Sequence, residues 1–410
     1  MELTETAEKI LAYGACCDHC LGRFFGKRGH GLTNDERGRA LRVARAVAEN
    51  LPFDPFTGTC WICSNFFEFV PAWAERAVAA IEGIEYTTFL VGCRVPPLIS
   101  ESEEMVISDL SLADPEPIKS EINREVGKAI SAITGRDVDF RKPDLVLLLD
   151  ISRDSVDVQI SPVFFLGRYQ KHERGIPQTH WDCRACRGAG CERCNFTGKQ
   201  YQDSVEELIG RPVTDIFSAE NAVLHGAGRE DIDARMIGTG RPFILEVVAP
   251  KRRTADLATV EDTINRGAAG RVAVTLVRWC ERSEVETLKS SKAHKKYRIL
   301  VEVEGALSAQ EFANALKTLQ GVTIHQRTPE RVAHRRADKV RERRVLDIGF
   351  VGEQDGRYLV EVLGEAGLYI KELVSGDQGR TTPSLAEILQ RPARVASLDV
   401  VQVGETNEGE

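Results

Sequence analysis

The densest concentration of reactive side chains lies in residues 225–241. Arg229, Glu230, Asp231, Asp233, Arg235 and Arg241 stand there among four glycines. A carboxylate set among guanidinium groups favours its charged form, which suits work as a nucleophile or a base. The same composition also describes a solvated turn with surface ion pairs of little energetic worth. The apolar run Ile244, Leu245, Val247 and Val248 follows at once. It places the loop at a sheet edge, where active sites collect. Composition alone does not separate the two readings.

Cysteine supplies the second chemistry. Of 11 cysteines, eight form four Cys-x-x-Cys pairs: Cys17/Cys20, Cys60/Cys63, Cys183/Cys186 and Cys191/Cys194. Paired thiolates at this spacing read as metal ligands in a reducing compartment. The first two pairs bracket a predicted helix and form a small closed zinc module. His19 is an alternative ligand there, and Cys16 competes with Cys17. The last two pairs put four thiols within twelve residues, which suits one tetrahedral zinc. A loop retained without metal has the same spacing, whereas a redox pair lacks its strand–helix setting. Cys93 and Cys280 sit among apolar neighbours and read as inert buried thiols.

Two basic patches complete the inventory. Lys289, Lys292, Lys295, Lys296 and Arg298 surround Tyr297. Further on, Arg327, Arg331, Arg335, Arg336, Lys339, Arg341, Arg343 and Arg344 face only Glu330, Asp338 and Glu342. An ordinary charged helix face alternates signs. This bias, in a chain of net charge −8, points instead to a phosphate-binding stripe. Near the end, Lys371 lies among Tyr369, Ile370 and Leu373, the pattern of a snorkelling surface lysine unless it meets a carboxylate. Dinucleotide, Walker and His-Glu-x-x-His motifs are absent, which disfavours NAD, ATP or catalytic zinc chemistry. No apolar run is long enough for a membrane span. The acidic first residues do not read as a leader, so a cytoplasmic protein is expected.

The elements that must position these groups follow from periodicity. Helices are predicted at 2–13, 33–50, 72–84 and 118–133, with Ile122, Val126 and Ile130 at helical spacing. Residues 86–95, 144–150 and 156–160 read as strands, the last two as a hairpin. Beyond residue 200 the pattern is mixed. Strands are expected at 243–249, 272–277, 296–303, 350–351, 358–363 and 400–403. Helices are expected at 204–209, 259–266, 308–319 and 368–374. Ser308 with Glu311 makes a capping-box start for the third of these.

The run Gly228-Arg229-Glu230-Asp231 resembles the active-site loop of TruA-type pseudouridine synthases. Lys295-Lys296-Tyr297-Arg298 and Gly367-Leu368-Tyr369-Ile370-Lys371 resemble two further motifs of those enzymes. Together with Arg174–Thr179, Ser204–Leu208 and Gly376–Pro383, the whole chain is similar to the THUMP-containing tRNA pseudouridine(54/55) synthases of archaea and eukaryotes.

The resemblance implies an α/β and α+β multidomain protein: a zinc module at 1–65, a THUMP-like α/β domain at 66–175 and a linker with the second Cys cluster at 176–200. A catalytic domain with a mixed, mainly antiparallel sheet fills 201–410. It implies Asp231 as nucleophile, Lys371 as its cationic partner and Tyr297 stacked on the uracil. Asp233 is expected to turn away. Arg229 becomes a wedge or phosphate clamp for a flipped uridine. Tyr369, Ile370 and Leu373 form the substrate wall, and Arg335 and Arg336 hold the RNA backbone. The partner would be tRNA, the cofactor structural zinc, with no organic or nucleotide cofactor. A zinc-containing tRNA-binding adaptor and another THUMP-type modifying enzyme are the competing classes.

Overall fold

A computed structural model describes residues 3–404, apart from the side chains of His334 and Arg335. The chain divides into two compact units, residues 3–161 with 251–253, and 162–250 with 254–404.

In the first unit, helices Leu3–Leu11, Asp18–Arg23 and Asn34–Ala48 gather around the N-terminal cysteines. Thr33 opens the third helix with a full capping box, accepting from Glu36 N while Glu36 accepts from Thr33 N. Such a cap contributes about 1 kcal/mol. A four-stranded sheet follows, in the order Asp137–Val138, Thr88–Arg94, Leu145–Asp150, Ser155–Ile160. The first two pairings are parallel, and the last is the expected hairpin, in register from Leu145↔Ile160 to Asp150↔Ser155. Helix Ile118–Thr134 sends Ile118, Ile122, Val126 and Ile130 into the core, all fully buried. Each contributes about 1.5–3 kcal/mol by leaving water. The helix stops at Gly135, whose φ of +66° suits a residue without a side chain. These residues share one apolar core with Cys20, Cys60 and Cys63.

The second unit is built on ten strands, mainly antiparallel as expected. Its centre is a short junction where Arg235–Val248 and Ala393–Val403 run parallel, paired only at Arg235↔Asp399 and Met236↔Val400. Buried Asp399 locks that junction by accepting from Arg174 Nη2 at 2.6 Å and from Arg235 Nε at 2.9 Å. Lys295–Val303 lies beside Ala393–Val403 in register Tyr297↔Val400. Helices Val205–Phe217 and Leu257–Ala268 pack their apolar stripes on the sheet, and Ser204 and Asp256 cap them.

Three departures from expectation bear on the site. Val163–Lys171, grouped by sequence with 66–175, belongs to this second sheet, between Arg235–Val248 and Val272–Cys280. The strand expected at 243–249 begins at Arg235, because Gly238 and Gly240 allow close strand approach instead of breaking the element. Val340–Gln354 is one 15-residue strand where only 350–351 was expected. Its arginines conceal a buried pair, Val345 and Ile348, which share a face only because the register shifts between Val345 and Asp347. Among the described residues no helix is long and apolar enough to cross a membrane.

Candidate active site

Residues 227–234 join the antiparallel strands Asn221–Gly226 and Arg235–Val248. Two buried cations fix this loop from below. Lys171 donates from Nζ to the carbonyls of Ile176 (2.8 Å), Ile232 (3.1 Å) and Asp231 (3.3 Å). Burial pushes its ammonium below the ordinary lysine range, despite attraction from Glu230 and Asp233. Arg241 donates from Nη1 to Ala227 O at 2.7 Å, and its Nε lies 3.0 Å from Glu230 Oε2. Tyr169 donates its hydroxyl to Glu230 Oε2 at 2.8 Å. Gln178 Nε2 donates to that hydroxyl at 2.9 Å and to Gly228 O at 3.0 Å. Gly228, at φ +81°, lies so close to this floor that a Cβ would stand 3.1 Å from Arg241 Nη1.

Above the floor, Asp231 faces a cavity of about 470 Å³, a volume that suits a small ligand. Arg229, Asp233, Tyr297, Arg331, Tyr369, Ile370 and Lys371 share its lining. Asp231 Oδ1 accepts from Arg331 Nη1 at 2.9 Å, and Oδ2 lies 3.6 Å from Lys371 Nζ. Arg331 is held in turn by buried Glu372, Nε to Oε1 at 2.6 Å. Burial works against the guanidinium charge, but Glu372 and Asp231 together raise it above the ordinary arginine value. Lys371 is nearer to Asp233, 2.6 Å from Oδ2. Asp233 therefore does not turn away, because the lysine bridges both aspartates. Burial would raise the Asp233 carboxyl, but the Lys371 hydrogen bond brings it below the usual range.

Tyr297 projects from the strand Lys295–Val303 into the same cavity, 8% exposed. Burial pushes its phenol up to about 12, with Arg241 opposing and Asp231 adding to the shift. It is a neutral ring at neutral pH, able to stack or to donate. Lys295 also lines the cavity, brought down to about 8 by burial and by Arg241.

Most other expected site residues converge here. The Arg229 guanidinium lies over the Trp181 ring, 5.1 Å from its centroid. Tyr369 accepts at its hydroxyl from Arg336 Nη1 at 2.9 Å, while Gln326 clamps its backbone N–H (2.8 Å) and carbonyl (2.9 Å). Leu373 is absent from the lining and packs in the apolar core. The Arg335 side chain lies outside the described residues. The expected stripe at 327–344 does not act as one face. Arg331, Arg336, Arg341 and Arg343 line the cavity, whereas Arg327 pairs with Asp338 and Arg344 Nε donates to Gly321 O. In the other patch Lys296 and Arg298 both pair with Glu361. Sequence reading gave Glu230, Tyr169, Gln178 and Glu372 no individual role. Only the spacing of Glu230 beside Asp231, which must face the opposite way in an extended loop, carried a signal.

The eight paired cysteines form two groups of four, each with all Sγ atoms within 4.8 Å of one another. A tetrahedral site with metal–sulfur bonds of about 2.3 Å has sulfur–sulfur edges of about 3.8 Å. Cys17 and Cys63 are 3.6 Å apart, Cys183 and Cys191 4.0 Å, and Cys186 and Cys194 3.9 Å. Both groups fit a thiophilic divalent metal with every position filled by protein. His19 is not a ligand: its Nδ1 pairs with Glu121 at 2.8 Å and its ring stacks on Phe67. Cys16 also stands outside the group.

Comparison with known proteins identifies the family. Residues 164–404 match the family model of the Pus10 C-terminal region, and residues 73–150 match that of the archaeal Pus10 THUMP domain. A protein of Methanothrix thermoacetophila named tRNA pseudouridine synthase Pus10 is 44% identical, over 98% of this chain and 95% of its own length. Relatives of the same name from Halorubrum lacusprofundi and Methanothermobacter marburgensis are 43% and 45% identical. They cover 98% and 99% of this chain, and 96% and 100% of their own lengths. With the match spanning both units from end to end, the chain belongs to the Pus10 family.

Proposed function

We propose that this chain is a tRNA pseudouridine synthase that isomerises uridine in the TΨC arm, at position 54, 55 or both, with Asp231 as the reacting carboxylate. The carrying observation is the placement of Asp231: in one cavity, between Arg331 and Lys371, with the neutral ring of Tyr297 alongside. The reaction breaks the N1–C1′ bond, turns the uracil and forms a C5–C1′ bond, with the C5 proton lost and one gained at N1. Its atoms balance without any added reactant, so no organic cofactor or nucleotide is required. Asp231 supplies the nucleophile or base. Arg331 and Lys371 fix its oxygens and balance its charge as the bond breaks. Tyr297 stacks on the extruded base and stands ready at the C5 proton. Tyr369 and Ile370 wall the base, while Arg229, Arg336, Arg341 and Arg343 face the phosphates.

Recognition and chemistry divide along the chain on this reading. The first unit, which carries the THUMP match, binds the acceptor end, and the second holds the arm beside Asp231. Each group of four cysteines holds one structural zinc, with Cys17, Cys20, Cys60 and Cys63 at one site and Cys183, Cys186, Cys191 and Cys194 at the other. The metal's contribution is to tie its ligands together, since no position is open to water or substrate. The protein acts in the cytoplasm, where its substrate is made. The test is incubation with an unmodified tRNA transcript, without ATP or methyl donor, followed by mapping of pseudouridine. Product at 54 or 55 supports the proposal. Tight binding without product would make the chain an adaptor instead.

A further inference from the structure

In the second unit, residues 181–200 form a surface nodule with a short stem. Gln200 N donates to Trp181 O at 2.9 Å, Cys183 N donates to Gly198 O at 2.7 Å, and Asp182 bridges Lys199. The loop crosses itself tightly: at Gly198, φ +73°, a Cβ would meet Gly188 O at 2.4 Å. Its four cysteines converge inward. Arg184, Arg187 and Arg193, each adjacent in sequence to one of those cysteines, are exposed, and Phe196 is 74% exposed. Glu192 is the one acid between the first and last of the cysteines. At the foot of the stem, Trp181 lines the cavity that holds Asp231, beneath the Arg229 guanidinium and against the edge of Tyr201.

We propose that this nodule is an RNA contact: Arg184, Arg187 and Arg193 grip backbone phosphates of the strand that leads into the cavity, and Phe196 offers its ring to an unpaired base. The inference rests on the reading of the cavity as a uridine site. Guanidinium forks match phosphate oxygens and stay charged at any working pH. A large aromatic ring left in water beside them is the usual platform for single-strand stacking. A divalent metal with four thiolates carries a formal charge of −2, but that charge is spread inward. The N–H groups of Gly190, Cys191 and Gly198 each approach a cysteine sulfur at 3.2 Å. The outer surface therefore presents the arginines. Trp181 makes the connection to the site, because the stem that carries its ring forms part of the cavity wall around Asp231.

The experiment compares full-length protein with a triple Arg184→Ala, Arg187→Ala, Arg193→Ala variant and with Phe196→Ala. Unmodified tRNA transcript is the probe, read by binding at several salt concentrations and by product formation. The triple variant is expected to raise KM on the order of tenfold and to lower the slope of log affinity against log salt by about 2, with kcat little changed. Phe196→Ala should weaken binding without altering the salt slope, and Phe196→Trp should restore it. Metal content and melting temperature are expected to stay at wild-type values in all three. An unchanged slope and KM in the triple variant, with wild-type protein still forming pseudouridine, overturns the nodule alone. Wild-type protein that forms no pseudouridine removes the reading on which it rests, whatever the binding shows.

Discussion

Two adjacent carboxylates in one loop have opposite surroundings. Glu230 points down, its side chain 1% exposed against an equally buried Arg241, with Tyr169 completing its contacts. Asp231 points up into the cavity, 31% exposed between Arg331 and Lys371. The first pair is desolvated and rigid, and it holds the backbone on which the second depends. The second retains access to water and to a ligand. Charge in the loop therefore does two things, holding the backbone below and lining the cavity above.

The sharpest break in that comparison is a pair of substitutions, one in each layer. Asp231→Asn should reduce pseudouridine formation by at least about 10³-fold, since no other carboxylate occupies its place, and should leave the melting temperature near wild type. Glu230→Ala should cost about 3–5 kcal/mol of stability, because Arg241 would be left buried without its counter-charge. Melting curves and single-turnover assays on both variants measure the two effects. If Glu230→Ala were stable while Asp231→Asn unfolded, the division between floor and cavity would be wrong.

Next in size is the support of Asp231 from the side. Arg331→Met removes the hydrogen bond to Asp231 and leaves Glu372 buried and unpaired. A loss of about 10²-fold in kcat is expected, with some loss of stability from Glu372. Arg331→Met with Glu372→Leu should recover the stability and not the turnover. Equal recovery of both would reduce Arg331 to a packing role.

Asp233 should give a smaller effect, a rise in kcat of at most about tenfold, by releasing Lys371 from a shared position. Asp233→Asn weakens the 2.6 Å contact and lets Lys371 move toward Asp231. Its expected sign is opposite to that of Lys371→Met, which should slow turnover. An Asp233→Asn variant as inactive as Asp231→Asn would mean that the reacting carboxylate is misassigned.

Legibility in the sequence followed the same division. Periodic elements were readable, as with the helix at 118–133 and the hairpin at 144–160, because their apolar spacing reports directly on burial. The loop at 225–241 was readable as a concentration of charge but not as two layers. A buried arginine and an exposed one look alike in a sequence, and the groups that distinguish them, such as Tyr169 and Gln178, lie far from the loop in sequence. Arg331 was counted as one of eight cations in a stripe, since its partner Glu372 lies 41 positions away. Long-range pairing of this kind leaves no local pattern. The cysteine groups were readable because a metal site confines its ligands to short spacings on two elements.

The smallest effect concerns Lys295, which feels both layers: burial and the Arg241 charge lower its ammonium, and it lines the cavity above. Its ammonium titrates at about 8 in the folded protein, against the ordinary lysine value of about 10.4 in an unfolded chain. Because burial disfavours the charged form, the cost to stability is fully present below pH 8. It is relieved as pH rises through 8 toward the unfolded value, where the unfolded state still binds the proton. Wild-type stability should therefore rise relative to Lys295→Met between about pH 8 and pH 10. Substrate binding should move the other way, as the ammonium that lines the cavity loses its charge around pH 8. KM for tRNA is expected to rise severalfold from about pH 7 to about pH 9 in wild type and to stay level in Lys295→Met. Tyr297, at about 12, does not titrate in that window. Matching pH profiles for the two proteins would place Lys295 with the structural floor and not with the cavity.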